Sequence, residues 1–154
     1  MSGQRNAGTL DLLTVPQSTP LDVPSSDITL PEAGVYELTA DLLFIASWNF
    51  TGRHVAAIVA QWFNVTTGTN VPGSNRWWVH DDPGGSVGAV GLASVWENVV
   101  VRALVSVTVP TTFRLRGIRG TGNGSAATTA NVQHAIQQNG GASQNLIVWR
   151  KLAD

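Results

Sequence analysis

The sequence predicts an all-β fold, an antiparallel jelly-roll β-sandwich of about eight to ten strands. Apolar and polar residues alternate over short segments that recur every ten to fifteen residues, and clusters of Gly, Pro, Asn, Asp and Ser separate these segments. No stretch longer than about ten residues keeps a helical repeat. Many short strands joined by turns are typical of sandwiches and barrels, and this number of strands suits a jelly roll.

Nine segments carry the strand pattern, and turn signals such as PEAG, TGTNVPGSN, DDPGG and GTGNGS separate them. The segment NVQHAIQ departs from this pattern, because Val132, Ala135 and Ile136 lie at helical offsets. In chain order, the strand segments are TLDLLTV, ITL, GVYELTADLLFIASW, HVAAIVAQWFNVTT, NRWWVHD, SVGAVGLASVWENVVVRA, LVSVTVP, TTFRLRGIR and NLIVWRKL.

The chain length of 154 residues fits one domain with one hydrophobic core. We expect residues 1–27 to form an N-terminal arm and extended segment, because the first eight residues are polar and VPQSTPLDVPSSD contains three prolines. Residues 28–154 are then the jelly-roll β-sandwich domain.

Composition excludes several classes of function. The chain has no cysteine, so disulfides and Cys-based zinc sites are ruled out. The net charge of −1 and the single lysine, Lys151, argue against a nucleic-acid partner. The apolar runs DLLFIA and VAAIVA are too short to span a bilayer, and the start MSGQRNAGTL lacks the pattern of a signal peptide, so we expect no membrane insertion and synthesis in a host cytoplasm. We expect no cofactor.

A surface poor in charge indicates coverage by partners. Charged residues make up 12% of the chain, against about 25% in typical soluble domains. Protein interfaces are depleted in Lys and Glu and enriched in Trp and Arg relative to free surface. We therefore expect neighbouring protein subunits to cover much of the exterior.

The segment TVPTTFRLRG (108–117) carries two arginines on alternate positions of a predicted strand. Thr112, Arg114 and Arg116 share the polar face, opposite an apolar one. We predict that Arg114, Arg116 and Arg119 lie at a subunit interface, where guanidinium groups pair with carboxylates such as those of Asp41 or Glu97. The alternative is a solvated edge strand.

Six tryptophans offer a second set of candidate residues. Because Trp77 and Trp78 are adjacent, a strand must turn one of them inward and the other outward. We predict a ligand or partner surface at this pair, and the candidate residues are Trp77, Trp78, His80, Asp81 and Asp82. The other four tryptophans are expected in the core; they are Trp48, Trp62, Trp96 and Trp149.

Two further motifs are weaker. GGSVG (84–88) matches the Gly-x-Ser-x-Gly elbow of hydrolases with Ser86 as nucleophile, but a loop that follows DDP and precedes a strand lacks the required strand–turn–helix context. HDD (80–82) offers imidazole and carboxylate oxygen ligands without any metal-site spacing. We expect turn and cap roles for these aspartates and no metal ion.

Three segments carry a resemblance to a known class. ITLPEAGVYELTADLLF (28–44), LVSVTVPTTFRLRGIR (104–119) and NLIVWRKL (145–152) resemble strands of the C1q and tumour-necrosis-factor-like jelly rolls. They are similar to versions of this fold in bacteriophage tail-fibre tips, head fibres and capsid decoration proteins. The resemblance implies a homotrimer around a threefold axis, a role in assembly and no enzymatic activity.

Three hypotheses follow for the function. The first is a non-enzymatic virion structural protein, a trimeric phage capsid decoration or head-fibre protein on the particle exterior that docks on other virion proteins through its N-terminal arm. The second is a receptor- or carbohydrate-binding tail-fibre tip that contacts a host-surface glycan through Trp77 or Trp78. The third, a hydrolase using Ser86, is the least favoured because the motif lacks its context.

Overall fold

The described part of the chain folds into a β-sandwich. The computed structural model describes residues 1–48, 54–82, 93–120, 132–137 and 145–154. Within these ranges, two six-stranded antiparallel sheets pack face to face, which confirms the predicted all-β jelly-roll class. No helix in the described ranges has the length and apolar character needed to cross a membrane.

Twelve strands form in the described residues, eight of them with five residues or more. Four strands of two or three residues raise the number above the predicted eight to ten. A single 3-10 turn covers Leu12–Thr14. The strands are β1 (Ser2–Asn6), β2 (Leu10–Asp11), β3 (Leu21–Asp22), β4 (Ile28–Leu30), β5 (Gly34–Trp48), β6 (His54–Asn64), β7 (Thr69–Asn70), β8 (Arg76–Asp82), β9 (Ala93–Val107), β10 (Thr111–Arg119), β11 (Val132–Ile136) and β12 (Leu146–Ala153).

The first sheet, called sheet I here, is built around β5. Strand β9 pairs with β5 over its full length, from Gly34 opposite Val107 to Trp48 opposite Ala93. On its other side, the first half of β5 pairs with β12 and the second half pairs with β11. Strand β12 in turn pairs with β1, and β11 pairs with β2. Strands β9 and β1 therefore lie at opposite edges of sheet I.

The second sheet, sheet II, has β10 and β6 at its centre. Strand β10 pairs with β6 on one side and with β3 and β4 on the other. Strand β6 also pairs with β7 and β8. The alternative of a solvated edge strand at residues 111–119 is therefore wrong, because both edges of β10 are paired.

The core lies between the sheets and follows the alternation of the long strands. Even-numbered residues of β5, from Tyr36 to Phe44, are buried, as are alternate residues of β10. Trp62 of β6 is fully buried, and its indole Nε1–H donates a hydrogen bond to the carbonyl oxygen of Val101 at 3.3 Å. The NVQHAIQ segment, with helical offsets in the sequence, forms strand β11 because its backbone pairs with β5 and β2.

The N-terminal residues pair with both sheets along part of their length. β1 pairs with β12, and the lack of a side chain at Gly3 leaves room for the Trp149 ring. The Asn145 side chain donates to the carbonyl oxygen of Gly8 at 3.2 Å, and β3 pairs with β10. The segment that the sequence presents as an arm thus supplies strands to the sandwich, because the edges of β12 and β10 offer unpaired backbone groups.

Candidate functional site

Arg114 and Arg116 of β10 lie on the outer face of sheet II, and Arg119 has the parity of the inward residues. Arg114 donates two parallel hydrogen bonds to Asp27, from Nε to Oδ1 at 2.6 Å and from Nη2 to Oδ2 at 2.7 Å. Its Nη1 reaches Asp22, which also accepts a hydrogen bond from Arg116 Nε at 2.8 Å. The guanidinium of Arg116 lies 3.3 Å from the centroid of the Phe63 ring. Charge and stacking hold both arginines against their own chain.

A buried serine holds the acidic segment next to β10. Ser26 Oγ donates to the carbonyl oxygen of Val23 at 2.6 Å and accepts from the backbone N–H of Leu115 at 3.1 Å. The two aspartates flank this anchor in sequence, so the anchor fixes their distance from β10. The hydrogen bond from Arg114 is the main cause that lowers the pKa of Asp27, and the same bond is the main cause that raises the pKa of Arg114.

The observed partners differ from those the sequence suggested. Arg114 and Arg116 pair with Asp22 and Asp27 of the same chain, where we named Asp41 and Glu97 as candidates. Arg119 donates from Nη2 to the carbonyl oxygen of Val15 at 3.4 Å. The interface role of these three arginines stays a prediction. Arg114 and Arg116 are engaged within the subunit, whereas the buried Nε of Arg119 has no hydrogen-bond partner among the described residues.

The outer face of sheet I has a different character. Along β9, Trp96, Val100 and Leu104 all point outward, with 57%, 38% and 67% of their surface exposed. They form a stripe of apolar side chains at every second outward position, which we call the β9 stripe. Within the described residues, the neighbouring Arg102 and Asp41 make no ion pair. Exposed apolar side chains beside unpaired charges mark a surface suited to a protein partner.

The edges of the sandwich next to this stripe are long. In the described part of the chain, β9 pairs with β5 alone over fifteen residues, and β8 pairs with β6 alone. Long apolar edge strands pair readily with other chains unless something covers them. The edge of β9 therefore adds a second reason to expect a partner on this side.

The six tryptophans divide between core and surface. Trp48 and Trp62 are buried as expected, and Trp149 is half-buried against β1. Trp96 is exposed, so its expected core position is wrong: its even-numbered place on β9 turns it outward. Trp77 is 61% exposed, whereas Trp78 packs on the core with its ring centroid 6.3 Å from that of Phe44. Adjacent residues of β8 thus face opposite ways, as alternation requires.

The HDD segment lies in strand β8 and not in a turn. His80, Asp81 and Asp82 pair in register with Ala56, Val55 and His54 of β6, so the expected turn and cap roles are wrong.

The His80 ring lies near Trp48 and Trp78, with centroid distances of 5.5 and 6.3 Å. No group of three metal-ligating side chains occurs among the described residues. Ser86 lies outside those residues.

One open cavity of about 230 Å³ lies at the β7–β9 side of the sandwich. Polar side chains of Asn64, Thr69 and Asn70 line it together with apolar Leu104 and Phe113. Trp77 and Trp78 are not part of its lining. This cavity therefore lies apart from the candidate surface at β8.

The known proteins that this chain resembles are similar in structure only. No family model matches the chain, and no curated protein matches it. Similar solved structures include infectious bursal virus derived T=1 particles, at 14% identity and a TM-score of 0.45 over 98% of this chain and 32% of that one. They also include Eiger TNF from S. frugiperda, at 14% identity and a TM-score of 0.43 over 100% of this chain and 93% of that one.

A T13 infectious bursal disease virus particle matches at 13% identity and a TM-score of 0.43, over 98% of this chain and 31% of that one. The chain thus spans about a third of the length of the bursal-virus chains, at 32% and 31%. The two sheets and their register define the class of this chain as an all-β jelly-roll sandwich.

Proposed function

We propose that this chain is a non-enzymatic structural protein of a virion, a homotrimeric decoration or head-fibre protein on the outside of a capsid. The observation that carries the proposal is the outer face of sheet I. There the β9 stripe is exposed beside Arg102 and Asp41, which have no ion-pair partner among the described residues. A second copy of the chain is the occupant that fits this face.

The charges on the face support packing between identical copies. Asp41 lies opposite Val100 and Arg102 lies opposite Thr39, so one carboxylate and one guanidinium flank the β9 stripe on adjacent strands. A neighbouring copy carries the same two groups, so the Asp41 carboxylate of one copy can pair with the Arg102 guanidinium of the next. A closed ring of three satisfies every pair without leaving an open end. Aromatic and arginine side chains are also those that protein interfaces favour.

The opposite edge of sheet I supports docking through residues 1–27. Strand β1 pairs with β12 on one side and has no strand on its other side in the described part of the chain. A partner strand can add to such an edge through main-chain hydrogen bonds. Subunit packing at β9 and docking at β1 then occupy different edges and do not compete.

Sedimentation and native mass analysis at micromolar concentration test the trimer with two matched variants. Val100→Glu places a charge in the β9 stripe, and Val79→Glu places the same charge at an exposed position on β8. We expect trimers for the wild type and for Val79→Glu, and monomers for Val100→Glu, because the stripe cannot bury an unpaired carboxylate. A monomeric wild type contradicts the proposal, as does a Val100→Glu variant that stays trimeric.

A truncation without residues 1–6 tests the separation of the two edges. Since β1 lies across sheet I from β9, the truncated chain is expected to remain trimeric. Dissociation of this variant would place the subunit contacts at β1 and overturn the assigned geometry. Retained mass with an intact β-sheet signal in circular dichroism supports it.

A receptor- or carbohydrate-binding tail-fibre tip is the second candidate, and the position of Trp77 favours it. The Trp77 ring lies against Gly120, where an added Cβ would come within 3.1 Å of ring atom Cζ3, and most of the side chain is exposed. A flat, exposed indole is a surface on which a sugar ring can stack. The candidate residues beside it are Trp78, His80, Asp81 and Asp82.

A glycan array decides between the two candidates. Binding that Trp77→Ala abolishes and Trp96→Ala preserves would favour the adhesin, since Trp77 lies on β8 and Trp96 lies on β9. An array without binding, together with a trimeric mass, supports the decoration or head-fibre protein. The fold of each variant is checked by circular dichroism, because both tryptophans are exposed and neither is expected to be needed for folding.

A further inference from the structure

Two histidines meet between the sheets at one end of the sandwich. His54 begins β6 in sheet II, and His134 lies in β11 of sheet I. Their Nε2 atoms are 3.3 Å apart, and the exposed fractions of the two residues are 1% and 5%. The pair is therefore a polar contact that links the two sheets through the interior.

The surroundings of the pair are aromatic and apolar. The Trp48 ring stacks on His54 with centroids 4.6 Å apart, and buried Ala46 and Ala56 lie beside it. Within the described residues, the buried Nδ1 of His134 has no hydrogen-bond partner. A proton added to this imidazole would gain little from its surroundings, and a buried charge without partners is costly.

Among the described residues, charged and titratable groups that act on the pair lie on two other strands. From β8, His80 acts against a positive charge on His54 and Asp82 acts in its favour. From β10, Arg119 acts against a positive charge on His134. Burial is the largest effect on both histidines: it lowers the pKa of His54 and lowers that of His134 to about 4.

The hydrogen bond between the two rings requires that one of the facing nitrogens is unprotonated. Between two neutral imidazoles, an N–H of one ring donates to the bare nitrogen of the other. When the accepting ring takes up a proton, both nitrogens carry hydrogen and the bond is lost. Two positive rings at this distance also repel each other in a poorly solvated interior.

We propose that His54 and His134 form an acid-sensitive latch, which holds the two sheets together at this end near neutral pH and releases them in acid. This latch concerns the chain itself and does not depend on the proposed virion role. The direction follows from linkage. The folded pKa of His134 is about 4, below its ordinary 6.5, so the closed state binds the proton less well than an open one. The stabilising contribution is complete above the ordinary value and is lost as pH falls toward the folded value.

Amide hydrogen exchange, corrected for its intrinsic pH dependence, measures the opening directly. In the wild type in EDTA, we expect protection in β11 and at the start of β6 to fall by about 20-fold or more between about pH 7 and pH 5. Amides of β10 near Leu115 are expected to keep their protection. His80→Gln is the matched control, because it removes the remaining histidine of the chain and leaves the pair intact. It should keep the fall of about 20-fold that His134 causes, because His80 acts on His54 and not on His134, whereas His134→Gln should lose this fall.

Several results would overturn the latch. They are a wild-type protection that does not change with pH, a His134→Gln profile equal to that of the wild type, and a His80→Gln profile that has lost its pH dependence. A pH dependence that appears with Zn²⁺ and is absent in EDTA would identify the pair as metal ligands instead. If His134→Gln does not fold, an NMR titration of the wild-type imidazoles replaces it, and a pKa near 6.5 for His134 would refute the proposal.

Discussion

The outer faces of the two sheets differ in how their charged side chains are paired. On sheet II, Arg114 and Arg116 meet the carboxylates of Asp22 and Asp27 within one chain. On sheet I, the β9 stripe and the charge of Arg102 have no such cover in the described residues. Charges that are paired within the chain gain little from a partner, whereas exposed apolar side chains beside unpaired charges are where a partner gains most. For this reason the subunit contacts are proposed on sheet I.

Truncation of a buried and of an exposed tryptophan should give the largest contrast. Trp62→Ala removes a fully buried indole and its hydrogen bond to Val101, and should lower the free energy of unfolding by about 3–5 kcal/mol. Trp96→Ala, on the exposed stripe, should change monomer stability by less than about 0.5 kcal/mol and weaken association. Urea unfolding at low protein concentration checks both values. A large monomer effect of Trp96→Ala would mean that the stripe belongs to the core.

The ion-pair network of sheet II should give the next largest effect. Arg114→Ala leaves Asp22 and Asp27 close together without their main counter-charge, and should lower the free energy of unfolding by about 1–2 kcal/mol. Its trimer mass should not change, because the network serves its own subunit. Dissociation on this substitution would instead place the arginines at the subunit interface, as the sequence first suggested.

The same network should show its own pH dependence. Because Arg114 lowers the pKa of Asp27 below its ordinary 3.8, the stabilising contribution is present above that value and is lost as pH falls below it. The stability difference between the wild type and Arg114→Ala should therefore stay constant from about pH 7 to pH 4 and shrink at lower pH. Urea unfolding of both proteins across this range tests the sign. A difference that shrinks near pH 6 would point to the histidines.

The smallest effect is expected at an exposed ion pair on sheet I. Nε of Arg150 lies 2.6 Å from Oε2 of Glu37, and 63% of the Arg150 side chain is exposed. Arg150→Ala should change the free energy of unfolding by about 0.5 kcal/mol or less, because solvent screens such pairs. Thermal unfolding alongside Arg114→Ala makes the comparison within one protein. An equal loss for both variants would remove the distinction drawn between the two faces.

The alternation of side chains carried most of the prediction that succeeded. It gave the all-β class, the polar and apolar faces of β10 and the opposite orientations of Trp77 and Trp78. It did not reveal that β10 lies inside a sheet, since pairing of both edges depends on distant strands. For the same reason, local patterns do not identify Asp22 and Asp27 as the partners of Arg114.

The histidine pair shows the same limit at the level of a site. His54 and His134 are eighty residues apart along the chain, and nothing in either local segment marks the contact. The chain has three histidines, and Trp48 lies six residues before His54, but neither fact predicts a contact with His134. Only the pairing of β11 with β5 brings His134 over the sheet that carries His54.

The sequence by itself determined the all-β class and the position of the long strands, because periodicity and turn residues act over a few neighbours. The tertiary structure decided which strands are edges, which charges are satisfied within the chain and which apolar residues stay exposed. It placed three short strands of residues 1–27, β1, β2 and β3, in the two sheets, and it placed Trp96 outside and the histidine pair inside. These outcomes depend on contacts between residues far apart in sequence, and local patterns do not encode the distances between them.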